Sequence, residues 1–281
     1  MNIHKLQIGL SLILLLLSCE KSKDVFLPIP YAGDKFVIQG FVSQQEGIWA
    51  YISVTTDPNN KYDDSKVGNI KVTILANDKV VGQLIKRDSG YYAVDSTFDV
   101  KTGTQYQLVV EGMGLEKTIT PKVEPIPYVE MKKVELLKID SFTGILSLNF
   151  NDRPGKNAYD VNISKYKNGI RLVDVQLFDK YFNNITFFDD KSFEAKNKSY
   201  AEEIFLYKQD NGKSIKIFAD ELEIKLFSIS PALQQFLESV YKDEETRSDP
   251  AYDPLPIYNN VTQGGFGIFA AYSASVKKIK I

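Results

Sequence analysis

From Phe36 onward apolar and polar residues alternate with a period of two, and that alternation constrains the fold more than any other feature of the chain. Successive side chains of a strand point to opposite faces, so the pattern reads as half-buried strands. Val37, Gln39 and Phe41 share one face, with Ile38 and Val42 on the other. Ile48, Ala50, Ile52 and Val54 alternate with Trp49, Tyr51 and Ser53, and Ile70, Val72 and Ile74 alternate with Lys71 and Thr73. Residues 80–85, 90–94, 105–111 and 115–120 continue the series, parted by Asn77-Asp78, Asp88-Ser89-Gly90, Lys101-Thr102-Gly103 and Gly112-Met113-Gly114. Short strands with turns every ~8 to 12 residues predict an immunoglobulin-like β-sandwich over 34–120.

Pro121, Pro125 and Pro127 cannot donate to a strand ladder, so 121–128 reads as a Pro-rich linker. Strands resume at 129–138, 145–150, 159–166, 170–178, 203–207, 214–218 and 222–227, with 179–199 as an irregular excursion. One helix is expected at about 231–242. Ser230 is placed as its N-cap, Pro231 suits the first helical position, and Leu233, Phe236, Leu237, Val240 and Tyr241 form its apolar stripe. The acidic residues 243–245 oppose the helix dipole and should fray its end. Two closing strands are expected, 264–272 and 274–281. The fold class that follows is mainly β: an N-terminal immunoglobulin-like β-sandwich, then a second β-rich domain over 129–281 with one amphipathic helix near its C-terminal end.

The N-terminus follows different rules. His4 and Lys5 precede an apolar run, and Leu16-Leu17-Ser18-Cys19 closes it. The run is about ten residues, short of the ~20 that a spanning helix needs, so 1–18 reads as a lipoprotein signal peptide ending in a lipobox. Cys19, the sole cysteine, would then become the lipidated first residue of the mature chain. At about 0.8 kcal/mol per buried methylene, a multi-chain anchor is in effect permanent. An ordinary secretory signal with a chance cysteine is the competing reading. Residues 19–33 are expected to be a lipidated tether, reaching roughly 45 Å at ~3.3 Å per residue.

Removing the leader takes away the only histidine, His4, and lipidation commits the only cysteine. No imidazole or free thiol then remains for a zinc site, a Ser/His/Asp or Cys/His nucleophile, or a disulfide. The 34 basic residues lose Lys5 with the leader and face 36 acidic ones, so no long-range field draws nucleic acid or anionic lipid.

The order of elements, the lipobox, and Asn259-Asn260-Val261 followed by Gly264-Gly265-Phe266-Gly267-Ile268-Phe269 resemble the Bacteroidota lipoproteins that carry domain of unknown function 4249. The match is to a closing signature of asparagine, then Gly-Gly-x-Gly-x-Phe, with one more residue between Val261 and the glycines than that pattern has. The resemblance covers essentially the whole mature chain. It implies outer-membrane placement in the cell envelope and a role accessory to a TonB-dependent transporter. The family has no established catalytic residues, so none is carried over.

Each constellation has a plain structural reading beside a functional one. Gly264, Gly265 and Gly267 lack the lysine and the strand-loop-helix context of a phosphate cradle, and with Asn259, Asn260, Phe266 and Phe269 they read as structural. The loop 57–64 offers several oxygen ligands, but its spacing is not that of an EF-hand and Lys61 opposes calcium, so no metal site is assigned. Trp49 and Tyr51 share a strand face, with Tyr62 in the following loop. They are the candidate binding residues if that face is open, and core if it is the sandwich interior. Asp189-Asp190 and Glu202-Glu203 are sequence neighbours that a strand would point apart, which argues against a carboxylate pair for glycan hydrolysis.

The function expected is therefore a non-enzymatic lipoprotein, without cofactor or nucleic-acid partner. It would be held to the membrane by its N-terminal lipid and bind a TonB-dependent barrel, a ligand such as a glycan or peptide, or both. A structural or adhesive surface lipoprotein without a small-molecule site is the alternative, and a carboxylate-based glycan hydrolase a remote one.

Overall fold

The computed structural model describes residues 31, 33–57, 69–155, 157–172, 188–189, 197–209, 216–247 and 255–281. The expected leader, Cys19, nearly all of the tether, Tyr62, Asp190 and all but Asp57 of the 57–64 loop lie outside the described residues. The strands are β1 (Phe36–Ser43), β2 (Gly47–Val54), β3 (Ile70–Ala76), β4 (Lys79–Asp88), β5 (Tyr91–Ala93), β6 (Tyr106–Gly112), β7 (Thr118–Ile119), β8 (Met131–Lys138) and β9 (Thr143–Asn151). They continue as β10 (Ala158–Lys167), β11 (Ile170–Arg171), β12 (Phe188–Asp189), β13 (Asn197–Phe205), β14 (Tyr207–Gln209), β15 (Lys216–Phe218), β16 (Glu221–Ile229) and β17 (Gly265–Lys280). Among the described residues there is one helix, α1 (Pro231–Thr246). The chain is mainly β with open sheets, as the period-two alternation predicts.

β1 to β7 fall where the alternation and the turn signals put them. Asn77 and Asp78 take positive φ in the β3–β4 turn, the conformation that short polar side chains tolerate best. The strands run β1-β2-β5-β4-β3-β6-β7, each pair antiparallel. β4 changes partner along its length, pairing with β3 through Leu84 and with β5 from Ile85. The sheet thereby folds over on itself, enclosing Ile38, Ile48, Ile52, Ile74 and Leu108 with no exposed surface. Full burial of each such side chain stabilises the fold by about 1.5–3 kcal/mol. The Pro-rich stretch lies against this sandwich, where Val123 and Tyr106 exchange two backbone hydrogen bonds of 2.8 Å.

The two expected closing strands are one. β17 runs unbroken for 16 residues. Its first part pairs parallel with β1, from Phe36 opposite Gly265 to Val42 opposite Ala271. Its second part pairs antiparallel with β16, from Ile229 opposite Tyr272 to Glu221 opposite Lys280. No Gly or Pro interrupts 268–280, and the serines at the expected break are accommodated. The Ser273 hydroxyl donates to the Pro127 carbonyl at 3.1 Å, and Ser275 Oγ accepts the Met131 amide at 3.1 Å. β7 also returns to this strand, since Ile119 bridges to Gln263 just ahead of it. The last strand therefore completes the N-terminal sandwich and anchors the second β region.

In that second region β13-β9-β8 forms a three-stranded sheet over β10-β16-β17. Leu222, Ile224 and Leu226, which alternate with Glu221, Glu223 and Lys225, face inward with Leu146, Leu148, Phe150 and Val161. A third cluster fills the outer face where the two regions meet. Phe41, Trp49, Phe227, Ile268 and Tyr272 are buried there, covered by Leu233, Phe236 and Leu237 of α1.

Candidate functional site

The signature around 257–269 folds into a clasp. Between Gly265 and Ala271 one edge of β17 is paired with β1, and β16 reaches the other edge only from Tyr272. That leaves a row of backbone groups that must find partners. Asn259 Oδ1 accepts the Gly267 amide at 2.8 Å, and the Asn260 and Val261 amides donate to the Gly267 carbonyl at 3.0 and 3.2 Å. The Asn260 side chain then exchanges two hydrogen bonds of 2.9 Å with the backbone of Phe269, taking the place of a neighbouring strand. Ser230 continues the series at Ala271: its amide donates to the carbonyl at 3.0 Å and its Oγ accepts the amide at 3.3 Å. The same Oγ caps α1 by accepting the Leu233 amide at 3.3 Å.

The glycines make this approach possible. Gly267 lies at φ 116°, and a Cβ there would overlap the Ile38 carbonyl oxygen. Gly265 would place its Cβ 2.6 Å from the Phe36 carbonyl oxygen. A phosphate cradle is not what these positions build; they let two backbones touch.

The clasp holds segment 255–258 against α1 and opens a groove beside it of about 390 Å³, lined by Gln235, Glu238, Ser239, Lys242, Leu255, Pro256 and Tyr258. The segment is stapled at two points. Ser239 Oγ accepts the Tyr258 amide at 2.8 Å, and Asp243 accepts the Leu255 amide at 3.0 Å. The expected fraying at Asp243 therefore does not occur: α1 continues to Thr246, because the buried Asp243 carboxylate also binds Arg247 Nε and Nη2 at 3.0 and 2.8 Å. The groove sets the polar face of the helix, with Glu238 and Lys242 one turn apart, against an apolar and aromatic wall. Such a lining can hold a ligand by stacking and hydrogen bonding.

Of the residues predicted for binding, Trp49 and Tyr51 share one face of β2 but differ in exposure, and Tyr62 lies outside the described residues. Trp49 is 7% exposed and packs in the cluster beneath α1, at 4.6 Å between ring centroids from Phe41. Its indole offers no open platform, because the face that Ile48, Ala50 and Ile52 turn away from is covered as well. Tyr51 on the same strand face is 41% exposed, beyond the cover. Glu202 and Glu203 are parted as expected, Glu202 half-buried beside Tyr200 and Glu203 exposed on β13. The groove residues on α1 were not singled out by the helix pattern, which marks only its N-cap and its apolar stripe. The signal available was Pro256, whose segment lies against the helix.

A second polar constellation lies under the β9–β10 connection. The buried Tyr159 hydroxyl donates to the buried Asp152 carboxylate. Burial first, and then this bond, push the phenol far above its usual range, so it stays protonated. Among the described residues no group of three or more His, Cys, Asp and Glu is placed to hold a metal ion, and no helix is long and apolar enough to cross a membrane.

Fold and groove together define a mainly β protein with a helix clamped over a strand shared by its two halves. Over residues 22–278 the sequence matches the family model described as a domain of unknown function (DUF4249), and the chain belongs to that family. No curated protein matches it.

Proposed function

We propose that the protein is a Bacteroidota outer-membrane lipoprotein that works by binding rather than catalysis, accessory to a TonB-dependent transporter. The observation that carries this reading is the lipobox at Leu16–Cys19, directly ahead of a family match that begins at residue 22. A lipid on Cys19 and a short tether would keep a weak binder within tens of ångströms of its partner, where modest intrinsic affinity suffices. The groove between α1 and 255–258 supports a ligand-binding role, since its mixed polar and aromatic lining suits a glycan or a peptide.

The test is recovery of partners from the native membrane in mild detergent, using a C-terminally tagged chain with Cys19→Ala as the control. One outer-membrane barrel in near-equal amount, lost in the control, is the expected result. A correctly anchored protein recovered alone would overturn the transporter role.

A further inference from the structure

The far end of the second β region carries an aromatic cluster that the groove and the clasp do not use. Phe142 in the β8–β9 turn, Tyr207 and Phe218 pack edge-on and tilted with ring centroids 5.6 to 6.1 Å apart, and Phe205 packs on Tyr207 at 5.6 Å. Backbone bonds hold them together: the Leu206 amide donates to the Phe142 carbonyl at 2.8 Å, and the Ala219 amide to the Leu206 carbonyl at 2.9 Å. The cluster is not core. Leu137 is 68%, Phe205 58%, Ile139 55% and Phe142 40% exposed. Isolated exposed hydrophobics need no explanation, but a contiguous apolar tip on a chain of this polarity marks a contact surface.

The charges around the tip select its occupant. Lys216 sets its ammonium 4.3 Å from the Phe142 ring centroid and 4.4 Å from that of Tyr207. Lys138 ends β8 and Lys208 lies between Tyr207 and Gln209 in β14. The carboxylate within the turn, Asp140, is folded back to accept the Phe142 and Thr143 amides at 2.7 Å. Among the described residues of the β13-β9-β8 sheet, Glu203 lies opposite Ile145, one row farther back than Phe205. Aromatic and aliphatic side chains at a protruding turn, with the Lys216 ammonium over two of the rings, match the boundary between headgroups and acyl chains: rings enter, ammonium groups meet phosphates.

We infer that this tip is a second, reversible membrane contact, for a bilayer surface carrying anionic phospholipid. The tip lies far from the point where the N-terminal segment joins the fold. Phe36 sits opposite Gly265 at the start of β17, whereas Asp220, two residues beyond Phe218, accepts the Ile281 amide past its end at 3.0 Å. At ~3.3 Å per residue β17 spans up to about 50 Å. A molecule held at both ends lies along the bilayer, which would turn its long faces toward a neighbouring membrane protein.

The experiment uses residues 20–281, which keep every described strand and the helix and carry no lipid, so it depends neither on Cys19 nor on a transporter. Vesicles of phosphatidylethanolamine, with and without phosphatidylglycerol, are floated with the protein. Expected is binding that needs the anionic lipid and falls about tenfold or more in Phe142→Ser/Phe205→Ser, with several-fold loss in Lys216→Ala. Unchanged Trp49 emission and far-UV signal verify that the variants fold. No vesicle binding by the parent chain, or equal binding by the double variant, overturns the proposal. So does a double variant whose 20–281 form keeps vesicle binding while the same substitutions in the lipidated full chain abolish barrel recovery, which would make the tip a protein-docking surface.

Discussion

Trp49 Nε1 donates a 3.0 Å hydrogen bond to the Tyr272 hydroxyl across 223 residues of sequence, and that hydroxyl donates in turn to Glu46 at 2.6 Å. Trp49 is in the second strand of the N-terminal sandwich. Tyr272 is where β17 leaves β1 and begins to pair with β16. The pair therefore rivets the two halves at their seam, inside an aromatic cluster with Phe41 and Phe227. Tyr272→Phe removes the acceptor of a buried indole N–H and should cost about 1–3 kcal/mol. Trp49 is the only tryptophan, so its own emission reports the urea midpoint. An unchanged midpoint would contradict the rivet.

Gly267 allows no Cβ. At φ 116° and in contact with the Ile38 backbone, Gly267→Ala should lose more than about 3 kcal/mol, enough to abolish soluble expression of a marginally stable fold. Asn260→Ala gives up both bonds to Phe269 and should cost about 1–3 kcal/mol in thermal unfolding, while Asn260→Asp, which keeps only the acceptor, should lie between it and the parent chain.

The first sandwich should not fold without the end of the chain. β1 takes its parallel partner from Gly265–Ala271, and Val261, Phe269 and Ala271 belong to the same core as Ile38 and Leu108. A chain ending at Tyr128 leaves that edge and core open. It should lack dispersed amide resonances in an NMR spectrum, and a peptide covering 255–281 should restore them when added. A well-folded 31–128 fragment would show that the shared strand is dispensable.

Stability should fall at both ends of the pH scale for separate reasons. The amides of Phe142, Thr97 and Asn168 hold the carboxyls of Asp140, Asp95 and Asp220 below the usual range. A depressed folded pKa gives stability that is present above the unfolded value of about 4 and is lost as pH falls through the folded one. Burial, and then the bond to Asp152, raise the Tyr159 phenol, so its contribution is present below about pH 10 and is lost as pH rises. Melting temperature against pH should show both limbs, and Tyr159→Phe should flatten only the alkaline one.

Much of this architecture was legible locally. Alternation marked β1 to β7 and the inward faces of β3 and β16, and Ser230-Pro231 marked the start of α1, because strand faces and helix caps depend on residues a few positions apart. The lipobox that motivates the lipoprotein reading is equally local. Trp49 shows where local pattern ends: alternation says that its face differs from that of Ile48, but not that a helix from far along the chain covers it. Asp243 is similar, since charge next to the helix dipole predicts fraying until the Leu255 amide and Arg247 arrive to satisfy it.

The sequence by itself determined that 36–119 is a run of short strands, where the helix begins, and that the chain holds one histidine, His4, and one cysteine, Cys19. Only the tertiary structure decided that Gly265–Ala271 belongs to the edge of β1, that Asn259, Asn260 and Ser230 stand in for a missing strand, and that Phe142, Phe205 and Phe218 meet at one tip. The physical reason is range. Periodicity and capping are properties of neighbouring residues, whereas the partner of a strand edge is chosen by which distant backbone can satisfy its amides and bury its apolar face at once.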